Sequence, residues 1–424
     1  TGTKRRMENF VYSLTSPTFV LFSLGILLPM ILGAMLPMAS MGGFQFGVWQ
    51  VAIVMDVIFP FVTFVYAYSI IGKRPGTSLP PRISGDGGKK RGVLLTSCVI
   101  CVVLIFLGVV TASYANEINT AKFKLQHERN SLEAPENATL KAEYEESAEF
   151  GDTVIGKILV SMGALPIVLG IGLPIAYYCR VTSKELKKRR DRIKQIEDEF
   201  PDALFQVGSR IAEGSPLESA FEKTGDAMRG TAIAEEFKKI AYVVQVTRTS
   251  LEDALFGSKG IMNNYPSRTV STTMRTVVET VKKDVVTAGQ TIVGISNYLR
   301  DMKKVEHDIR IQLSSVMEMM VTTGKIFAPI VMGITSALYF ILQKIGWEVS
   351  AGGLGFATRM PADVFNLILG VYLVLIVIGI MYFTSSIKHS TDIVEFKYEV
   401  GNAMPIALTI FTLSAIIGQM YMPM

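Results

Sequence analysis

Three patterns in the sequence have residue types and spacing that could carry chemistry. Residues 151–157 read GDTVIGK and match most of a phosphate-binding loop, but Ile158 stands where a serine or threonine must reach the metal. Cys98 and Cys101 have redox or metal spacing, yet no further histidine or cysteine lies in their apolar run to complete a site. The three histidines fall on three separate segments. The patterns therefore predict no catalytic, cofactor or metal site, and we expect the chain not to be an enzyme.

One acid, Asp56, lies well inside an apolar run. An unpaired charge at such a depth in a membrane costs on the order of several kcal/mol. The sequence therefore predicts a partner for this carboxylate or a water-filled seam beside it. Two interpretations stay open: a structural acid that is hydrated or bonded to a neighbouring helix, and a functional one.

The composition places the chain in a membrane. It has 424 residues, of which 49% are hydrophobic and 19% charged, with a mean hydropathy of +0.37. This is too apolar for one water-soluble globule. The fold class predicted is an all-α integral membrane protein with about seven transmembrane helices. The seven predicted spans are residues 18–38, 48–71, 93–114, 158–178, 326–342, 364–383 and 404–421.

Basic residues in the short loops predict the orientation of these spans. Eleven fall on one side of the membrane and six on the other. The chain is therefore expected in the cell (cytoplasmic) membrane as a multi-pass protein, with its N-terminus and residues 180–325 cytoplasmic and its C-terminus outside. Residues 115–153 are predicted to form an acidic external loop, in which Asn137 begins a glycosylation triplet.

A polar, charge-rich segment separates the first four predicted spans from the last three. The sequence therefore predicts a membrane region at 1–179, an inserted cytoplasmic helical-bundle domain at 180–325 and a second membrane region at 326–424. Eight basic residues against two acids lie between positions 180 and 194. Half of that charge is typical of a helix that leaves a membrane, because basic side chains bind anionic headgroups.

Helix signals follow one another through the inserted domain. A proline at 201 is predicted near the first turn of a helix that ends at a glycine at 214. The sequence SPLE directly after it reads as a capping box with its proline in the first helical position, and a weaker echo begins at Ser250. Further helices are predicted at about 267–283 and 285–323. The residues of the first motif are Pro201, Gly214, Ser215, Pro216, Leu217, Glu218 and Ala220.

The order of several short motifs resembles the cytoplasmic helical domain of the type II secretion protein F family. The motifs are FPDAL at 200–204, EGSPLESAF at 213–221, LSSVM at 313–317 and FAPI at 327–330. One such domain with about seven spans is more like the archaeal branch of the family than the bacterial one.

The resemblance implies a non-enzymatic platform protein of a type IV pilus, archaellum or secretion machine. Its partners would be a cytosolic hexameric secretion ATPase, pilin or archaellin subunits, membrane lipids and a second copy of itself in a homodimer, and no nucleic acid. The alternative function is a multi-span solute transporter with a cytoplasmic regulatory domain. Such a transporter needs polar residues or broken helices at mid-membrane. Asp56 and four prolines in the apolar runs are consistent with this alternative.

The basic run is the candidate contact for the ATPase, because it exceeds what leaflet anchoring needs. The simpler interpretation is that these residues only hold lipid headgroups. A second candidate patch lies on the long predicted helix. The candidates are Lys187, Lys188, Arg189, Arg190, Arg192 and Lys194 in the first patch, and Lys303, Lys304 and Arg310 in the second.

Overall fold

A computed structural model of the chain describes most of its residues, and every regular element among them is a helix. The all-α class is therefore confirmed for this part of the chain. The described residues are 23–41, 47–72, 87–130, 147, 149, 153, 162–257, 260–263, 265–282, 285–351, 360–389 and 392–421.

Thirteen α-helices are described, and three short π-helical segments adjoin them. The α-helices are α1 Leu28–Met41, α2 Val48–Ala52, α3 Phe59–Ile71, α4 Gly87–Asn130, α5 Leu165–Ala212, α6 Leu217–Ala227, α7 Ala232–Thr247, α8 Leu251–Phe256, α9 Arg268–Val281, α10 Val285–Thr322, α11 Ala328–Ala351, α12 Ala362–His389 and α13 Ile393–Tyr421. The π-helical segments are Ser23–Leu27, Ile53–Ile58 and Thr323–Phe327.

The chain divides into two compact units. The polar unit comprises the described residues of Lys184–Leu313. The apolar unit comprises those of Asn9–Pro75, Gly87–Ser183 and Ser314–Met424.

Six helical stretches are long and apolar enough to cross a membrane. They overlap six of the seven predicted spans, and by length and composition they indicate a multi-pass membrane protein. For the predicted span at 18–38, the described residues contain a shorter apolar helix, Gly25–Leu36. The six stretches are Val48–Ile71, Arg91–Ile118, Leu165–Ala212, Thr287–Gln343, Ala362–Lys388 and Ile393–Met420.

Small residues let α11 and α13 approach closely within the apolar unit. A Cβ atom added to Gly333 would lie 2.5 Å from the Ser414 Cβ, and one added to Gly418 would lie 2.4 Å from the Ala337 Cβ. Beside this contact, the Ser336 hydroxyl donates to Asn366 Oδ1 at 2.5 Å. Small side chains and hydrogen bonds between helices are the usual means of packing in lipid.

The segment 115–153, which the sequence analysis assigns to an external loop, begins with helix. Helix α4 continues through Asn130, so the first 16 residues of that segment are helical. These residues include the helix formers alanine, lysine, glutamine and glutamate, and the first proline comes only at 135. Polarity marked the end of the apolar run, but it did not mark the end of the helix.

The polar unit has one hydrophobic core, to which α5 to α10 all contribute. From α5 the buried residues recur at helical spacing, so one stripe of the helix faces inward. Phe221 of α6 and Phe237 of α7 meet edge to face at the centre, with ring centroids 4.9 Å apart. The α5 stripe consists of Ile196, Phe200, Ala203, Leu204, Val207 and Ile211.

The prediction that Pro201 opens a helix is wrong. Helix α5 runs through it from Leu165 to Ala212. An internal proline costs about 3 kcal/mol because it removes one N–H donor and crowds the preceding turn. The neighbouring Phe200 and Leu204 are fully buried. Burial of each side chain stabilises the fold by about 1.5–3 kcal/mol, which offsets the cost of the proline. In addition, the Pro201 carbonyl accepts a hydrogen bond from the Ser296 hydroxyl at 2.7 Å.

The predicted helix end at Gly214 is confirmed. Gly214 has a φ of +88°, which is the left-handed conformation that a glycine adopts without strain. Its N–H donates to the Ile211 carbonyl at 2.9 Å, and the Ser215 N–H donates to the Arg210 carbonyl at 2.9 Å. This pair of bonds is a Schellman motif, which satisfies the last free carbonyls of α5.

The predicted capping box at Ser215 is wrong. Pro216 has an extended ψ of 146° and is itself the N-cap residue of α6, with no side-chain cap. Ser215 therefore lies one position too early, and its backbone N–H serves the preceding helix instead. Glu218 falls at the second helical position, where it cannot complete the reciprocal bond.

Serine and threonine caps do occur in the polar unit, at three other helices. The Ser250 hydroxyl accepts from the Asp253 N–H at 3.2 Å, so the weaker echo of the motif is the one that is capped. Ser267 caps α9 and Thr231 caps α7 in the same way, each at 3.3 Å. The predicted helix at 267–283 is thereby confirmed as α9.

Replacing Ser250 with alanine should lower the local stability of α8 by about 0.5–2 kcal/mol, because a free N–H group loses its acceptor. Ser215→Ala should change stability by no more than about 0.5 kcal/mol, as expected for a substitution that removes no cap. Hydrogen exchange of the full-length chain measures both effects. Equal protection of the α8 amides in Ser250→Ala and the wild type would contradict the assignment of this cap.

Candidate partner surface

The basic surface of the polar unit is built by two neighbouring helices, α5 and α10. They run antiparallel, because residues later in α10 contact residues earlier in α5. Arg300 Nη2 lies 2.8 Å from Asp202 Oδ1, and Lys303 Nζ lies 2.8 Å from Asp198 Oδ1. The acids are one turn apart on α5, and their partners are one turn apart on α10.

Lys194 joins the two predicted patches into one surface. Burial lowers the pKa of its ammonium, and the positive charge of Arg310 on α10 lowers the pKa further. The negative charges of Asp198 and Glu306 act in the opposite direction and raise the pKa of Lys194. The ends of the two predicted patches are therefore neighbours in space, although more than a hundred residues separate them in the sequence.

Most of the nine predicted contact residues are already engaged within the polar unit. Lys187 pairs with Asp191 at 3.3 Å, and Arg192 pairs with Glu235. Arg310 pairs with Glu306 at 3.2 Å, and Lys303 pairs with Asp198. Arg190 is buried, with 8% of its surface exposed.

Three of the nine are exposed and remain for an outside partner, while Lys194 is half-buried. Lys188, Arg189 and Lys304 are exposed, and they form no ion pair with any residue that the structure describes. A partner that binds them breaks no internal bond. The engaged bases would first have to give up exposed pairs, which are worth about 0–1 kcal/mol each.

Three acids that were not predicted from the sequence hold this surface together. Asp198 and Asp202 on α5 face the basic side chains of α10, and Glu235 on α7 engages Arg192. A signal for the first two was present, because acids four positions apart on α5 match bases three positions apart on α10. Only the acids between positions 180 and 194 were set against the bases, so the charge left for a partner was overestimated.

The other predicted motif residues are structural in their placement. Ala220 is fully buried in the core of the polar unit, and Leu217 packs against that core. Glu218 is exposed on α6. None of these three lies among the ion pairs of the basic surface.

Asp56 lies in the π-helical segment Ile53–Ile58 of the apolar unit. One of its two carboxylate oxygens, Oδ1, is buried and accepts no hydrogen bond from any described residue. The nearby Tyr372 hydroxyl donates instead to the Gly25 carbonyl at 2.6 Å. π-Helical turns often occur at functional positions, but a carboxylate without a described partner is first of all a local cost.

Replacing Asp56 with leucine should therefore raise the stability of the chain by about 1–3 kcal/mol, the cost of one unsatisfied buried polar group. Asp56→Asn keeps a polar group at the site and should gain less. Thermal unfolding of the full chain in detergent measures both. A lower melting temperature for Asp56→Leu would show that the carboxylate has a stabilising partner.

Several other predicted features fall partly or wholly outside the described residues. Asn137 does so, as do all positions of the 151–157 loop except Thr153. Cys98 and Cys101 lie within α4, in the apolar stretch Arg91–Ile118. Among the described residues, no three His, Cys, Asp or Glu side chains are grouped to hold a metal ion.

Comparisons of the chain with family models, with characterised proteins and with solved structures find no match.

Proposed function

We propose that this chain is a non-enzymatic platform protein in the cytoplasmic membrane, in a machine that assembles type IV pilus-like filaments. In this role the polar unit binds a cytosolic hexameric ATPase, and the membrane helices receive pilin subunits and pass them into the filament. The surface that carries the proposal is the exposed set of Lys188, Arg189 and Lys304 on α5 and α10.

The packing of the resemblance motifs supports the proposal. Phe200 and Leu204 of the first motif and Ala220 and Phe221 of the second are all buried in the same core. These two motifs therefore contribute to the core of one helical unit, as expected if they mark a domain.

The distribution of basic residues supports a cytoplasmic position for this unit. Positive loops tend to stay on the cytoplasmic side of a membrane, and the eleven-to-six bias favours that side for residues 180–325. An ATPase in the cytosol could then reach the basic surface directly. Oppositely charged surfaces steer such encounters and fix their register.

The test is affinity purification of the full-length chain from its own cells in mild detergent, at low and at high ionic strength. We expect a hexameric secretion ATPase, identified by mass spectrometry, to be retained at low ionic strength and lost at high. A solute transporter or a membrane enzyme would retain no such ATPase. Failure to recover it at low ionic strength, with intact platform protein on the resin, would contradict the proposal.

A further inference from the structure

A cavity with five charged side chains in its walls lies in the apolar unit, where α12 ends, α13 begins and α10 passes into the π-helical segment before α11. Its volume is about 290 Å³, and its walls come from the last two turns of α10, the π-helical segment before α11, the last two turns of α12 and the first two turns of α13. The charged residues that line it are Glu318, Lys325, Lys388, Glu395 and Glu399. Neither the basic surface nor the proposed function makes use of this cavity.

Ser385 in the cavity wall is the observation that points to a ligand. The residue is 2% exposed, and its hydroxyl has no hydrogen-bond partner among the described residues. The adjacent Thr384 hydroxyl donates to the Ile380 carbonyl at 2.8 Å, the usual way for a helix to satisfy such a group. Buried hydroxyls without a partner are rare in proteins. Ser385 is therefore placed to bond to something that enters the cavity.

The charges of the cavity define the chemistry of that ligand. Lys325 is engaged with Glu399, with 3.7 Å between Nζ and Oε2. Lys388 and Glu318 form no ion pair with a described residue, so one ammonium and one carboxylate stay available. A ligand that satisfies both groups and the Ser385 hydroxyl must carry an anionic group and a hydrogen-bonding cationic group.

The position of the cavity identifies a source for such a ligand. Its walls include the ends of the apolar stretches Ala362–Lys388 and Ile393–Met420, the depth at which lysine side chains reach lipid headgroups. We propose that this cavity binds a zwitterionic headgroup that carries a phosphate and a primary ammonium. Lys388 and Ser385 bind the phosphate, and Glu318 binds the ammonium.

The test titrates the full chain in detergent with short-chain phosphatidylethanolamine, phosphatidylcholine, phosphatidylglycerol and free O-phosphoethanolamine. Native mass spectrometry gives each apparent dissociation constant. Phosphatidylethanolamine should bind most tightly, because the choline headgroup has no N–H to donate and the glycerol headgroup has no cation. Comparable binding of O-phosphoethanolamine would support the same site chemistry and identify a soluble source.

Variants separate a site from a structural role. Ser385→Ala and Lys388→Gln should each weaken binding of phosphatidylethanolamine about tenfold, as expected for one hydrogen bond to a charged group. Lys397→Gln removes the same charge from α13 outside the cavity and should bind as the wild type does. The melting temperature of Ser385→Ala without lipid should not fall, since its hydroxyl has no described partner to lose.

Two results would overturn the proposal. One is equal affinity for the three lipids, which would show that the site does not distinguish between headgroups. The other is wild-type affinity for phosphatidylethanolamine in both Ser385→Ala and Lys388→Gln.

Discussion

Replacing Phe221 with alanine is expected to lower the stability of the polar unit by about 3–5 kcal/mol. The Phe221 ring is fully buried, and it packs edge to face on Phe237 at the centre of the core. Its removal loses the transfer free energy of the ring and leaves a cavity that the surrounding helices fill only in part. Hydrogen exchange of the full-length chain measures the loss at the most protected amides of α6 and α7.

Tyr242→Ala is the matched control for this change. Tyr242 is an aromatic residue of α7 with 66% of its surface exposed, so its loss should cost no more than about 0.5 kcal/mol. Equal losses of protection in the two variants would show that the core is not where the structure places it.

The second large effect is expected at the crossing of α5 and α10. A Cβ atom added to Gly289 would lie 2.4 Å from the Ala212 backbone nitrogen, and one added to Gly208 would lie 3.0 Å from the Val293 nitrogen. Because backbone atoms cannot turn away, Gly289→Ala should push the helices apart. We expect a loss of about 1–3 kcal/mol from this overpacking.

Gly294 on the same helix supplies the control for Gly289. A Cβ atom added there meets nothing within 4 Å, so Gly294→Ala should raise stability by about 0.5–1 kcal/mol through helix propensity. The two changes are chemically identical and should have opposite signs in hydrogen exchange. A stabilising Gly289→Ala would contradict the close approach of α5 and α10.

The long apolar helices and the helix end at a glycine could be predicted from the sequence. Six apolar runs correspond to long apolar helices, because about twenty apolar residues have few other stable arrangements. The end of α5 at Gly214 was predictable because a left-handed residue there costs glycine nothing. Both signals are local and depend little on tertiary contacts.

Pro201 and Ser215 were misinterpreted because tertiary structure decides both positions. Pro201 stays inside α5 because its neighbours are held in the core, which a propensity argument does not count. Ser215 does not cap α6, because that helix begins one residue later than predicted. Its N–H donates instead to the Arg210 carbonyl, in the turn that ends α5. Helix ends are sensitive to such one-residue changes.

The sequence predicted which helices carry the basic residues of the candidate surface, but not which of those residues remain without an ion pair. Counting bases found α5 and α10, yet the ion pairs with Asp198 and Glu235 depend on which helices are neighbours. The spacing of Asp198 and Asp202 indicates the first of these pairs, but nothing in the sequence indicates the pair with Glu235. The structure therefore narrows nine candidates to Lys188, Arg189 and Lys304.

The most direct test of the platform proposal is a titration of the detergent-solubilised chain with its ATPase at low and high ionic strength. The double reversal Lys188→Glu and Arg189→Glu is compared with the wild type and with a control that reverses Lys223 and Arg268. Both control residues are exposed on other helices of the polar unit, so the change in net charge is the same.

We predict that the first reversal slows association and weakens binding about tenfold at low ionic strength, with a smaller difference at high ionic strength because salt screens exposed charges. The control reversal should bind like the wild type. Wild-type affinity in the Lys188 and Arg189 reversal at both ionic strengths would contradict the account, since the ATPase would then not bind through these residues.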